Sequence, residues 1–470
     1  MASSLRAWAG RLVARPWLLG FVPINAATSG FGVVLPLLIL IPLHGTWADV
    51  AIAATLFNTA VILSSVVWGH LSDRYPLRRA FLVLNFAGYA ALYAVLADVR
   101  SLPTLYLIYA IIGFIAPAGT SASNLLILEK FSENERPNAY ASFQEMSIIG
   151  SLIGLLIGFF WTLRGDQLLT LLYVLAGLAV TSALAAWFAV SEPKLTLTTL
   201  HVAKHEASLV SRIRESVAFR IPIPFFPKRP RPTWDGLARF RRWAREELHH
   251  ELPLILAASF LFNLAANLYN ISYTPYLYSA GLAASSIFLV NLSNSTAQTF
   301  IFPFTGTLSN RVGPDRLVQR ATYIRSLGYL ATAGFTFVIF THPATFEANV
   351  VVFGVLGGAI AVYTTASSLM LFRSLAGRDA GSLLGVNSAL GGVAAIAGAG
   401  LSGVLSVYGS YRLVFLVAGG ALLVSLPLWT AASVAWLRRR HVAGAAEVAP
   451  TGPPDPPTRS IERSAAAKTH

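Results

Sequence analysis

The string Gly69-His-Leu-Ser-Asp73-Arg74-Tyr-Pro-Leu-Arg78-Arg79 separates two long apolar runs. A related string, Gly306-Thr-Leu-Ser-Asn310-Arg311-Val-Gly313-Pro-Asp315-Arg316, separates two more, 237 residues later. Five of the eleven positions are identical: the leading glycines, the Leu-Ser pairs, Arg74 with Arg311 and Arg79 with Arg316. A charged hairpin that returns once in an otherwise apolar chain restricts the fold severely. The chain must be two similar halves, and each hairpin must meet water while its flanks do not.

The flanks are long enough to cross a bilayer. Apolar stretches of about 20 residues recur, and at ~1.5 Å per residue each covers a ~30 Å hydrocarbon layer. Only 12% of the 470 residues are charged, against about 25% in a soluble domain. Lipid offers no partner to an open strand edge, so helices are the available spanning element. The expected fold is an all-α polytopic membrane protein. Its twelve helices fall at about 17–41, 47–68, 79–97, 103–128, 138–161, 167–190, 253–278, 283–305, 319–340, 346–371, 382–406 and 411–437. There is no cysteine, which excludes disulfides, thiol catalysis and cysteine metal sites.

The charge distribution orients these spans. Alternate loops and the termini, with Arg320 and Arg325 counted beside the second hairpin, hold 32 of the 35 Lys and Arg, and the opposite loops hold only Arg100, Arg164 and Arg412. The positive-inside rule then places both termini in the cytoplasm of a cell-membrane protein. The net charge of +14 reads as topology and contact with anionic lipid, so no nucleic-acid partner is expected. Arg6, Arg11 and Arg15 precede a first apolar run too long for a cleaved leader, which reads as an uncleaved span.

Four segments follow. Residues 1–190 form one six-helix half and 253–440 the other; 191–252 form a cytoplasmic linker and 441–470 a disordered tail. The prolines between Pro222 and Pro232 forbid a helix there. Beyond them Trp234, Leu237, Phe240, Ala244 and Leu248 share one side of a helix whose remainder is basic, a pattern that suits the membrane surface. His201 and His205 have a helical metal spacing but lie in the linker and lack the catalytic glutamate of a zinc peptidase, so no metal or other cofactor is expected.

The hairpin and the two-half layout, over roughly residues 15–440, resemble the major facilitator superfamily of transporters. The resemblance implies two pseudo-symmetric halves that rock about a midplane site. It also implies a conformational latch at Gly69, Asp73 and Arg74, echoed at Gly306 and Arg311. The family's glycine is Pro76 here, its following basic residue is Leu77, and the acid is replaced by Asn310 in the second copy. Gly150, Gly154 and Gly158, at every fourth position of the fifth helix, resemble a run in the superfamily's antiporters, although Leu155 stands where those carry proline. Close helix packing explains the same glycines. The glycine at 69 is likewise read as permitting close helix approach.

Polar groups inside spans need partners or roles. Asn263, Asn267 and Asn270 share one face of the seventh helix, with Tyr269, Tyr273 and Tyr276 close by and Pro275 as a kink. Asn291, Asn294 and Gln298 share a face of the eighth. Asn25, Asn58, Asn124, Gln144 and Asn387 complete the set. Amides donate and accept without charge. In the superfamily, helices 1, 4, 7 and 10 line the cavity, which implies a substrate site including Asn25, Asn263, Asn267, Asn270, Asn294 and Gln298. Glu145 is the one acid clearly inside a span, a proton-coupling candidate or a structural partner for an arginine such as Arg325. No deep lysine or arginine is expected to clamp an anion. The expected function is secondary or facilitative transport of a small neutral or weakly charged organic solute by a monomer, with proton-coupled efflux as one form. The alternative is a transporter-shaped sensor or scaffold. No nucleophile, base and orienter occur together, so no enzyme is expected.

Overall fold

With no water to satisfy backbone amides, the chain satisfies them within helices. The computed structural model describes residues 16–75, 77–131, 136–165, 167–190, 251–336, 342–374 and 380–448. After a short 3-10 turn at Pro16–Gly20 come α1 (Phe21–Leu40), α2 (Trp47–Arg74), α3 (Arg78–Ala97), α4 (Leu102–Lys130), α5 (Arg136–Thr162) and α6 (Leu168–Ala189). The second half holds α7 (Glu251–Ser279), α8 (Ala284–Val312), α9 (Pro314–Phe335), α10 (His342–Ser374), α11 (Ala380–Tyr408) and α12 (Tyr411–Val448). Ten of the twelve are long and apolar enough to span a membrane by composition alone. The other two are α8, which carries the amides, and α9, which carries Arg316, Arg320 and Arg325.

The packing repeats. In the first half α1 lies on α5 and α6, α2 on α4, and α3 on α4 and α6. In the second α7 lies on α11 and α12, α8 on α10, and α9 on α10 and α12. The halves meet where α2 lies on α11 and α5 on α8. This is a two-fold arrangement of two six-helix bundles. The up-and-down path puts both hairpins on one face, here the hairpin face, and the α1–α2, α7–α8 and α11–α12 turns on the far face.

Helix ends follow local chemistry. Asp49 closes the start of α2: its Oδ2 accepts from the Thr46 N–H at 2.6 Å and the Thr46 hydroxyl at 2.7 Å, a capping box. Its Oδ1 accepts from Tyr106 of α4 at 2.6 Å. Gly313 joins α8 to α9 at φ +91°, a conformation costly for a side chain. Pro314 then starts α9, where its missing N–H costs nothing. The one-residue junction corrects the sequence reading. It begins α9 five residues before the expected 319, so Arg316 joins the helix and Arg325 lies eleven residues beyond its first position, not six. α12 continues to Val448, into the segment read as a tail. The linker helix, His201, His205 and the residues beyond 448 lie outside the described residues.

Candidate functional site

The two halves are locked together at the far face. Trp47, the first residue of α2, donates its Nε1–H to Ser402 Oγ of α11 at 3.2 Å. Ser402 also bonds Ser272 of α7 at 2.8 Å. The Trp47 ring stacks on Tyr411 of α12 with centroids 4.2 Å apart, and Tyr411 meets Tyr276 edge-on. One side chain of the first half is thus seated in a socket built from three helices of the second. Among the described residues, this hydrogen bond and this stack are the ones that cross between halves. Gly403 packs on Ala51 and Gly392 on Ile62, which carries the α2–α11 contact down to mid-depth. On the other seam, Gly158 packs against Phe288 near the far face.

Towards the hairpins the contact ends. Val66 of α2 is 75% exposed and Phe300 of α8 is 70% exposed. Leu63, Val67 and Phe304 are exposed beside them. A side chain added at Gly69 or Gly306 would meet nothing within 4 Å. Among the described residues, the close approach expected at Gly69 is not made in this conformation. Among the described residues the halves touch at the far face and not beside the hairpins.

The amides bordering this cleft include an unexpected pair. Gly150 of α5 lies against the Val22 carbonyl and Asn25 Cβ of α1. Gly398 of α11 lies against the Leu264 carbonyl and Asn267 Cβ of α7. Asn25 and Asn267 are therefore structural equivalents, one per half, each on the first helix of its bundle. Each donates to the carbonyl one turn back, Asn25 to Phe21 at 2.7 Å and Asn267 to Asn263 at 2.9 Å. Among the described residues nothing donates to either Oδ1, and both side chains are half-buried. Asn263 is tied in the same way to the Ser259 carbonyl at 2.8 Å, and Asn270 is exposed.

α7 has two faces. The tyrosines grouped with its amides point the other way. Tyr269 and Tyr273 are fully buried in their own half, where Tyr269 stacks on Tyr329 of α9 at 3.9 Å and Tyr273 bonds Asn349 of α10 at 3.0 Å. They do not line the cleft, which corrects the grouping of amides and tyrosines in one cavity. The α8 amides divide as well. Asn294 donates to the Phe353 carbonyl of α10 at 2.9 Å and accepts from Gln298 at 2.7 Å, an interhelical tie within one half.

The charged groups required two further corrections. Glu145 is exposed on α5 and makes no ion pair with Arg325. Arg325 is itself a deep arginine, 5% exposed in the interior of α9; it was hidden by the late start assigned to that helix. In the first hairpin Arg78 turns inward. It is buried, bonds Glu129 of α4 at 2.7 Å, and donates to the Ser72 carbonyl at the end of α2 and to Ser72 Oγ at 2.9 Å. In the second hairpin Asp315 lies 3.7 Å from Arg373 of α10. The 237-residue offset aligns Arg78 with Asp315 but not their partners Glu129 and Arg373, so the repeat alone could not have found the pairs. The side chains of Asp73 and Arg74 lie outside the described residues.

Comparisons with known proteins agree with this geometry. The family model described as Major Facilitator Superfamily matches residues 17–346 and 255–466. Two crystal structures of the nucleoside transporter NupG, one of a point mutant, are similar in fold. Their TM-scores are 0.66 and 0.64 at 14% and 15% identity, covering 90% of this chain and 99% and 98% of theirs. No curated protein matches.

Proposed function

The chain belongs to the major facilitator superfamily of membrane transporters, and on that premise we propose that it carries a small, polar, neutral or weakly charged organic solute by alternating access. The observation that carries this reading is the asymmetric closure of the cleft. The Trp47 socket closes the far face, while Asn25 and Asn267 stand half-buried below it. A solute between the halves would be held by matching carboxamide oxygens, with Asn263 and Asn270 beside them. Asn294 and Gln298 stay in the proposed site as its second-half wall, although their mutual bond favours a supporting part.

The basic bias places the hairpin face in the cytoplasm, so this conformation faces inward. Gly69, Asp73, Arg74, Gly306 and Arg311 are the proposed latch of the opposite conformation. The open space around both glycines is what a disengaged latch leaves. Glu145 is the proposed proton carrier. It sits ten positions into α5, while α1 and α6 carry no charged side chain and α8 only Arg311. Closing the hairpin face would carry this carboxyl from water into the contact between α5 and α8. The glycine run suggests export, although packing against α1 also accounts for Gly150 and Gly154.

Nucleosides are neutral and rich in hydrogen-bonding groups, and the similar fold of NupG makes them the first compounds to test. Purified protein would be screened by thermal shift against nucleosides, sugars and amphipathic drugs, and the hits measured for flux in proteoliposomes. Saturable flux that responds to a pH gradient, and loses that response in Glu145→Gln, is expected. Binding without flux would support the sensor alternative.

A further inference from the structure

The interior of the second half contains a cation with no counter-ion among the described residues. Arg325 is buried in α9 and its guanidinium is permanently charged. Among the described residues no carboxylate pairs with it. Its Nη2 donates to the Tyr329 hydroxyl, and its carbon lies 5.2 Å from the Phe262 ring and 5.3 Å from the Tyr329 ring. Phe262 stacks flat on Tyr363 at 3.4 Å, and Trp429 stands edge-on to Tyr363 at 6.1 Å. Two donors of this cluster, Arg325 Nε and Trp429 Nε1, are buried with no acceptor. The first half has no such group: at the offset relating the hairpins Arg325 corresponds to Gly88, which packs on Ile115.

We propose that this cluster binds a small monovalent anion of chloride size within the second half. An unpaired buried charge is strongly unfavourable in a membrane interior. The ring faces offset part of that cost through cation–π attraction but supply no acceptor to Nε. Water would satisfy the donors and leave the charge; an anion does both. The anion is small because the surroundings are closed. Phe262, Tyr329, Tyr363 and Trp429 are all buried, so a compact ion fits the cluster better than a carboxylate carried on a larger solute. The cluster is built from α7, α9, α10 and α12 of the second half alone and does not depend on the identity of the solute.

The test is thermal stability of the purified protein, titrated with sodium chloride against sodium gluconate at constant ionic strength. A saturable rise in Tm is expected with chloride and bromide but not with gluconate, and Arg325→Met should abolish it. Trp429→Phe removes one donor to an anion, worth about 1.5 kcal/mol, and should raise the half-saturating chloride concentration about tenfold. Equal Tm in both salts, or a chloride shift that survives Arg325→Met, would overturn the site. If Arg325→Met does not fold, Trp429→Phe decides, and an unchanged half-saturation rejects the proposal.

Discussion

The two hairpins hold the same place in their halves with opposite charges. In the first, the cation Arg78 opens α3 and the anion Glu129 lies one residue before the end of α4. In the second, the anion Asp315 lies in the first turn of α9 and the cation Arg373 one residue before the end of α10. An acid near a helix N-terminus and a base near a C-terminus agree with the helix dipole. The second pair has that help. It is long at 3.7 Å, both members are partly exposed, and Arg373 also rests on Trp436. The first pair opposes both dipoles. It is offset by burial of Arg78, by a 2.7 Å contact, and by donation to the Ser72 carbonyl at the end of α2. Repetition of a fold thus does not require repetition of its electrostatics. The first hairpin is a tight clamp on three helices, and the second is a solvent-screened tie.

Breaking the clamp should have the largest effect. Arg78→Gln leaves Glu129 without its partner and the α2 terminus without its donor. A fully buried pair broken in this way costs ~3–5 kcal/mol. Glu129 keeps a quarter of its side chain exposed, so about 2–3 kcal/mol is expected here, read as a marked fall in Tm. A wild-type Tm would remove the distinction between the hairpins.

The comparison sharpens where the halves agree. Asn25 and Asn267 occupy equivalent positions, so Asn25→Leu and Asn267→Leu should weaken binding of any solute found by thermal shift to similar degrees. Loss of one buried hydrogen bond costs ~1–3 kcal/mol, or roughly 5- to 150-fold in affinity. Unchanged affinity with a lowered Tm in both would make them packing residues. The smallest effect belongs to the second hairpin. Asp315→Asn should change stability by about 0–1 kcal/mol, and less at high salt. A loss as large as that of Arg78→Gln would show the two hairpins to be equivalent.

Much of the fold was legible in the sequence because lipid imposes long apolar runs and the hairpin repeat marks the two halves. The amides were legible as a class, since an asparagine stands out in an apolar helix. Their division was not. Whether Asn294 faces a cleft or the Phe353 carbonyl depends on which helix packs beside it, and spacing along one helix cannot choose. Trp47 was missed because a tryptophan at a membrane boundary is ordinary in sequence, and its partners lie about 355 residues away. Arg325 was missed through a boundary: a proline and a glycine next to charged residues read as loop, whereas they begin a helix.

The central claim is that closure at the far face and opening at the hairpin face are one motion. The cysteine-free chain allows spin labels at Ser101 and Ser410 to report the far face, and at Leu77 and Asn310 to report the hairpin face. Distances for both pairs would be measured in proteoliposomes for the parent chain and for Trp47→Ala, which removes the socket's hydrogen bond and ring stack. The account predicts that the variant lengthens the far-face distance and shortens the hairpin-face distance in the same fraction of molecules. A lengthened far-face distance with an unchanged hairpin-face distance would contradict it.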